Sequence, residues 1–214
     1  LSNPALETVF QELRKRRMRA GISTNGLLLH RFMDMFPKYL DVCSLIRFSI
    51  DGATKETYER IRFGGNWEQL LENLELARTV LAPAGINTEV AMVVSRDNLS
   101  EVGAYIKFFS NYVRRPVRDM SIGVINSLSP DTKYFDMFNL FPKHTYSNSQ
   151  CSSMSAPTPF IHLNGNFSVC CRDYDGSLKI GNIFETPIAD IRKGEELETL
   201  RKEFFSGDLS NLPL

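Results

Sequence analysis

Two hydrophobic patterns alternate along the first 125 residues of the chain. Apolar residues at helical spacing predict amphipathic helices, of which the clearest runs from Trp67 to Leu81. Between the helices, short runs of β-branched and apolar residues predict strands that end near residues 24, 50, 95 and 125. Because strands that alternate with helices form βαβ units, this pattern predicts an α/β fold with a parallel sheet.

The number of βα units limits the possible architecture. Four units are visible in a chain of 214 residues, whereas a closed (β/α)8 barrel takes about 250 residues. The pattern therefore predicts a partial (β/α) barrel of parallel strands. A doubly wound sheet is the alternative that the same pattern allows.

The hydrophobic pattern changes near Asn126. The stretch that follows is rich in Ser, Asn, Pro and aromatic residues and has no clear period. Residues 160–171 then alternate around Asn164-Gly165, which predicts a small β-hairpin, and a helix is predicted after it. We therefore expect two domains, residues 1–148 with the partial barrel and residues 149–214 with the hairpin and helix.

Charge and composition exclude several classes of function. Lys and Arg number 25, and so do Asp and Glu, so a net charge of zero argues against a nucleic-acid or anionic-membrane partner. No apolar run approaches the roughly 18 residues of a membrane span. Four unevenly placed cysteines do not form a secreted disulfide framework, which predicts a reducing, cytoplasmic location.

The candidate chemistry lies in the cysteines. Cys170 and Cys171 end the predicted hairpin, and Cys151 precedes it. Thiolates hold iron–sulfur clusters, so Cys151 and Cys170 are candidate ligands of one cluster, while strand alternation predicts that Cys171 points to the opposite face. Burial in a core is the alternative, and it is the prediction for Cys43. A zinc site is a weaker alternative, because no second cysteine pair has zinc-ribbon spacing.

Several motifs resemble those of the radical S-adenosylmethionine (radical SAM) family with a SPASM or twitch-type iron–sulfur domain, and they occur along the chain in the order expected for that family. The spacing of Cys151, Gly165 and Cys170 resembles the start of that domain. The other matching runs are Ser23–Gly26, Phe48–Gly52, Thr57–Gly65, Ile180–Ile183 and Pro187–Ile191.

The resemblance implies a function and its cofactors. Such an enzyme cleaves SAM reductively to a 5′-deoxyadenosyl radical, which abstracts hydrogen from a substrate. SAM and 4Fe–4S clusters are the implied cofactors, and flavodoxin or ferredoxin is the implied electron donor. Peptide or protein maturation is the implied activity, and oxidation of a small molecule, a sugar or aminocyclitol, is the second. A non-catalytic scaffold derived from the barrel is the alternative of another class.

The resemblance also implies roles for five residues. Ser49 is expected to hydrogen-bond the ribose of SAM, with Asp51 or Arg62 supporting it, and Asn25 is expected near the same cofactor. Val94 is expected to pack on the adenine. Turn formation or helix capping is the alternative for Asn25 and Asp51, and a place in the core is the alternative for Val94.

The chain departs from the family pattern in two places. No two cysteines have the Cys-x3-Cys-x2-Cys spacing that binds the catalytic cluster. We therefore expect an inactive fragment that lacks both ends of the enzyme. In sulfatase-maturing relatives an Asp follows the hairpin cysteine as proton acceptor, but Cys171 stands there, which argues against that activity. Asp173 and Asp175 lie nearby, and Asp175-Gly176 favours a turn.

Overall fold

The computed structural model describes residues 1–124, 160–170, 173 and 175–206. These residues fall into two compact units, one up to residue 124 and one from residue 160 onward. Each unit has its own hydrophobic core. The predicted domain boundary near residue 148 lies outside the described residues and stays a prediction.

The first unit contains a parallel sheet of four strands. They are β1 (Ala20–Thr24), β2 (Cys43–Ser49), β3 (Asn87–Val94) and β4 (Met120–Val124). The strands are adjacent in the order β1-β2-β3-β4, and each neighbouring pair is parallel. The predicted α/β fold is confirmed. The order does not reverse among the described strands, as it would in a doubly wound sheet, and this agrees with a partial barrel.

Five α-helices accompany these strands. They are α1 (Leu6–Lys15), α2 (Lys55–Ile61), α3 (Trp67–Leu76), α4 (Val102–Phe109) and α5 (Pro116–Asp119). The Thr54 hydroxyl accepts a hydrogen bond from the Thr57 N–H at 3.3 Å, and Asn66 Oδ1 accepts one from the Gln69 N–H at 2.9 Å. These bonds cap α2 and α3, and Thr and Asn are residue types that the sequence alone would favour at such helix starts.

The spacing of apolar residues 27–36 predicts a helix after Gly26, but the structure has no α-helix there, and a buried side chain explains why. The segment forms two short 3-10 turns, Leu29–Phe32 and Phe36–Tyr39. An α-helix there would begin with a bond from the His30 N–H to the Gly26 carbonyl. Both of these backbone groups are instead bonded to Asn73 of α3. Its Nδ2 donates to the Gly26 carbonyl at 2.7 Å, and its Oδ1 accepts from the His30 N–H at 3.1 Å.

The sheet has one apolar and one polar face. On β2 and β3 the apolar face carries Ile46, Phe48, Val90 and Met92, all within the core that includes side chains of α3 and α4. Side chains alternate along a strand, so the intervening residues lie on the other face. That face carries Ser49 and Arg47, which lies two residues before it. Arg47 forms an ion pair at 2.6 Å with Glu89, its register partner on β3.

The second unit is a small antiparallel sheet followed by helices. Strands β5 (Phe160–Ile161), β6 (Asn166–Ser168) and β7 (Lys179–Asn182) precede α6 (Ile188–Ile191) and α7 (Glu195–Ser206). The predicted hairpin is confirmed, since Gly165 has φ +82° and a Cβ atom there would collide with the ring of Phe184. The single helix predicted after it is two helices, separated by a turn that contains Gly194.

Candidate functional site

Asp51 joins three elements at the carboxyl-terminal edge of the parallel sheet. It lies two residues beyond β2 and is only 7% exposed. Its Oδ1 accepts a hydrogen bond from the Val93 N–H of β3 at 2.8 Å. Its Oδ2 contacts both Nε and Nη2 of Arg62, at 2.7 and 2.6 Å, just after α2. Hydrogen bonds between ionised groups are the strong ones, so this carboxylate has a fixed position.

Ser49 lies on the polar face of the sheet, two residues before Asp51. It ends β2, pairs in register with Ala91 and is half-buried. No hydrogen bond joins its hydroxyl to another residue in the part of the chain that the structure describes. The hydroxyl is therefore available to a ligand at the sheet edge, where parallel α/β folds bind ligands.

The structure places Asn25 in a turn. Asn25 follows β1 and is exposed. Its Oδ1 accepts a hydrogen bond from the Leu27 N–H at 3.3 Å, which agrees with the turn alternative. Its expected contact with SAM stays a prediction.

Val94 is separated from these groups by the sheet itself. It is 4% exposed and belongs to the core cluster with Val90 and Met92. Strand alternation puts the side chain on the face opposite to that of Ser49. Its expected contact with adenine stays a prediction, and the core alternative accounts for its burial.

Asn98 is a residue of this site that sequence reasoning missed. It is 0% exposed, and its Nδ2 donates to the carbonyls of Asp51 and Val93, both at 2.9 Å. Its Oδ1 accepts a hydrogen bond from the Ser95 N–H at 2.7 Å. An asparagine just before a predicted helix suggests only a helix cap, so no local signal points to bonds with a strand 47 residues away.

Glu101 is the second missed residue. Its Oε2 accepts a hydrogen bond from the Ala53 N–H at 2.6 Å, and its Oε1 accepts from the hydroxyls of Thr54 at 2.9 Å and Thr57 at 2.6 Å. Burial opposes ionisation, but the hydrogen bonds from Thr57, Ala53 and Thr54 together lower the pKa of Glu101. The carboxylate thus fixes the loop that leads into α2. A Cβ atom on Gly52 in that loop would lie 2.6 Å from the Tyr58 nitrogen, so the loop packs closely on the helix.

These groups fit a nucleoside. A hydroxyl without a protein partner at the carboxyl end of a parallel strand can hydrogen-bond a ribose hydroxyl. The Arg62 contact fixes the carboxylate of Asp51, and the Asn98 and Glu101 contacts fix the backbone on either side of it. Asp51 and Arg62 are in direct contact, Ser49 lies two residues before Asp51, and the contacts of all three with SAM stay predictions.

A buried carboxylate organises the turn that carries Cys170. Asp173 is buried, and its Oδ2 accepts hydrogen bonds from the Ser168 hydroxyl at 2.5 Å and from the Leu178 N–H at 3.0 Å. The Ser168 oxygen in turn accepts from the Cys170 N–H at 3.5 Å, and the Asp173 N–H donates to the Cys170 carbonyl at 3.2 Å. Asp173 thus has a structural role in the turn that holds this cysteine.

Asp175 forms the turn predicted for it. The side chain is exposed, and its Oδ1 accepts hydrogen bonds from the N–H and the hydroxyl of Ser177, at 3.2 and 2.7 Å. The next residue, Gly176, has φ +77°, a conformation that favours glycine.

Only part of the candidate cluster site is described. Cys170 directly follows the hairpin and is half-buried, whereas Cys151 and Cys171 lie outside the described residues. Within the described ranges, no three or more His, Cys, Asp or Glu side chains are grouped so as to hold a metal ion. The approach of Cys151 to Cys170 and the outward direction of Cys171 stay predictions.

Cys43 is expected to be chemically inert in the folded protein. It is fully buried in the core, and this burial raises the pKa of its thiol to about 11. Because only the thiolate reacts, iodoacetamide at pH 8 should leave Cys43 unmodified until the chain is unfolded. Mass spectrometry of peptides from native and denatured samples measures this. Rapid native labelling of Cys43 would contradict its place in the core.

Comparisons with known proteins agree with the resemblance. The model of the radical SAM superfamily matches residues 1–109, and a model described as an iron–sulfur cluster-binding domain, SPASM, matches residues 151–211. No curated protein matches the chain. None of the described helices is long and apolar enough to cross a membrane.

Two solved structures show limited similarity. One is BtrN in complex with AdoMet and 2-DOIA, with 18% identity and a TM-score of 0.47 over 97% of this chain and 76% of that one. The other is BtrN with selenomethionine in an open conformation, with 16% identity and a TM-score of 0.42 over 98% of this chain and 77% of that one. The cofactors are those that the two family models imply, SAM and 4Fe–4S clusters. The radical SAM family model covers 109 of the 214 residues. The chain therefore belongs to the radical SAM superfamily, and it carries a SPASM iron–sulfur cluster-binding domain.

Proposed function

We propose that the full-length protein is a radical SAM oxidoreductase or maturase that abstracts hydrogen from a peptide or protein substrate. The observation that carries this proposal is the fixed Asp51 carboxylate two residues after Ser49, whose hydroxyl has no partner among the described residues, inside the segment matched by the radical SAM family model. When bound, the catalytic four-iron cluster supplies the electron that cleaves SAM into methionine and a 5′-deoxyadenosyl radical. Flavodoxin or ferredoxin is the proposed source of that electron.

The chain's own residues would bind and orient the nucleoside. The Ser49 hydroxyl would hydrogen-bond a ribose hydroxyl, and Asp51 and Arg62 would hold the sheet edge against it. In the second unit, Cys170 would hold the auxiliary cluster together with Cys151, and Asp173 would fix the backbone around Cys170. The substrate class follows the family resemblance, and Cys171 in place of the sulfatase-maturing aspartate argues against a sulfatase as the substrate.

The test is formation of 5′-deoxyadenosine. The full-length protein, reconstituted anaerobically with iron and sulfide and reduced with dithionite, is incubated with SAM, and the product is quantified by mass spectrometry. We expect 5′-deoxyadenosine from the wild type and on the order of tenfold less from Ser49→Ala, as for loss of one oriented hydrogen bond in a binding site. Reconstituted clusters without any 5′-deoxyadenosine would contradict the proposal and favour a scaffold.

Substrate class is tested in the same assay. A soluble peptide pool from the source cells is expected to raise the yield of 5′-deoxyadenosine above the uncoupled level, because hydrogen abstraction draws the cleavage forward. A panel of sugars and aminocyclitols serves as the control. Stimulation by the panel but not by the peptides would replace the peptide assignment with small-molecule oxidation.

A further inference from the structure

The segment after β3 holds both ends of the loop that joins β2 to α2. This loop, Asp51–Thr54, carries the Asp51 carboxylate at its start and the cap of α2 at its end. Asn98 contacts the start of the loop and Glu101 contacts its end. Two side chains from one segment thus span the whole loop beside the candidate SAM site.

Asn98 binds the backbone of both residues, Asp51 and Val93, that the Asp51 carboxylate joins. The Val93 N–H donates to Asp51 Oδ1, while the Val93 and Asp51 carbonyls each accept from Asn98 Nδ2. The amide therefore sets the distance between the ends of β2 and β3 where the carboxylate bridges them. Asn98 is fully buried, so water cannot replace these hydrogen bonds without opening the site.

Glu101 fixes the first turn of α2. Its carboxylate binds the Ala53 N–H and the hydroxyls of Thr54 and Thr57 at that end of the helix. Arg62 follows the other end of the same helix and contacts Asp51. The direction of α2 therefore determines where the guanidinium meets the carboxylate.

We infer that Asn98 and Glu101 are positioning residues for nucleoside binding at Ser49, where Asp51 holds the edge of the sheet. Their side chains contact neither the Ser49 hydroxyl nor the Asp51 carboxylate, but they hold the backbone of the loop that follows β2. This inference rests on the proposed function, because it assumes that SAM binds at this edge of the sheet.

The test measures equilibrium binding of S-adenosylhomocysteine, which is not cleaved, to the full-length reconstituted protein. Glu101→Ala is expected to weaken binding about tenfold, because two hydrogen bonds to the loop and one to the first turn of α2 are lost. Glu101→Gln is expected to stay within about twofold, since its amide oxygen can accept from Ala53 and its NH₂ can donate to the threonine hydroxyls. Asn98→Asp is expected to weaken binding by tenfold or more, because a carboxylate cannot donate to two carbonyls. If Asn98→Asp fails to fold, the Glu101 pair decides.

Asn66→Ala is the matched control for stability. It removes a helix cap of α3, with an effect on melting temperature but no link to the Asp51–Thr54 loop. We expect its affinity to equal that of the wild type. Wild-type affinity in Glu101→Ala, equal weakening in Asn66→Ala, or a Glu101→Gln variant as weak as Glu101→Ala would overturn the inference.

The outcomes also separate this inference from the proposed function. If Ser49→Ala and Asp51→Asn bind S-adenosylhomocysteine like the wild type, the SAM site itself is wrong. If those two variants bind weakly while the Asn98 and Glu101 variants bind normally, only the positioning roles are wrong.

Discussion

Replacing Asp51 with Asn is expected to lower the free energy of unfolding by about 2 kcal/mol. The same change is expected to weaken SAM binding by roughly tenfold or more. The amide can still accept from the Val93 N–H through its oxygen, but the other position then presents an NH₂ group to the Arg62 guanidinium. The cationic side chain loses its counter-charge, and the ends of β2 and β3 lose their link to α2. Thermal denaturation and equilibrium dialysis with labelled SAM measure the two effects.

A second Asp–Arg pair provides the control. Asp41 and Arg14 form an ion pair whose side chains are 58% and 43% exposed, compared with 9% and 32% for Asp51 and Arg62. Exposed pairs contribute about 0–1 kcal/mol, so Asp41→Asn should hardly change stability and should leave SAM binding unchanged. Equal effects in the two variants would show that the Asp51 contact has no special place in the site.

Replacing Cys170 with Ala is expected to remove one cluster's worth of iron, about four atoms per chain. Cys170 lies two residues beyond β6, beside a turn that buried Asp173 holds, so its backbone position is defined without the cluster. Cys171→Ala is the matched control, and we expect it to lose little iron because the spacing that resembles the SPASM-type domain is formed by Cys151, Gly165 and Cys170. Iron and sulfide are counted after anaerobic reconstitution of the full-length protein. Equal iron in the wild type and in the Cys151→Ala, Cys170→Ala double variant would show that neither cysteine is a cluster ligand. It would favour the alternative that both are buried in a core.

Features that depend on neighbours along the chain could be predicted from sequence. The βα alternation, the caps at Thr54 and Asn66 and the glycine turn at Gly165 are such features. Each rests on side chains or backbone angles within a few residues, where residue type alone restricts the conformation. The cysteine spacing and the strand-end motifs also indicated the family, because the order and spacing of motifs can be read directly from the sequence.

Features that depend on contacts across the fold appear only in the tertiary structure. Asn73 prevents an α-helix after Gly26, and Asn98 and Glu101 hold the Asp51 loop, each across more than 40 residues of sequence. The sequence does not show whether an asparagine or a glutamate caps its own helix or binds a distant backbone group. The packing of the fold selects between these two roles. The sequence by itself thus determined the α/β fold, the local caps and turns and the family. The tertiary structure decided which polar side chains surround Asp51 and that Val94 belongs to the core, because burial leaves each polar group one set of partners.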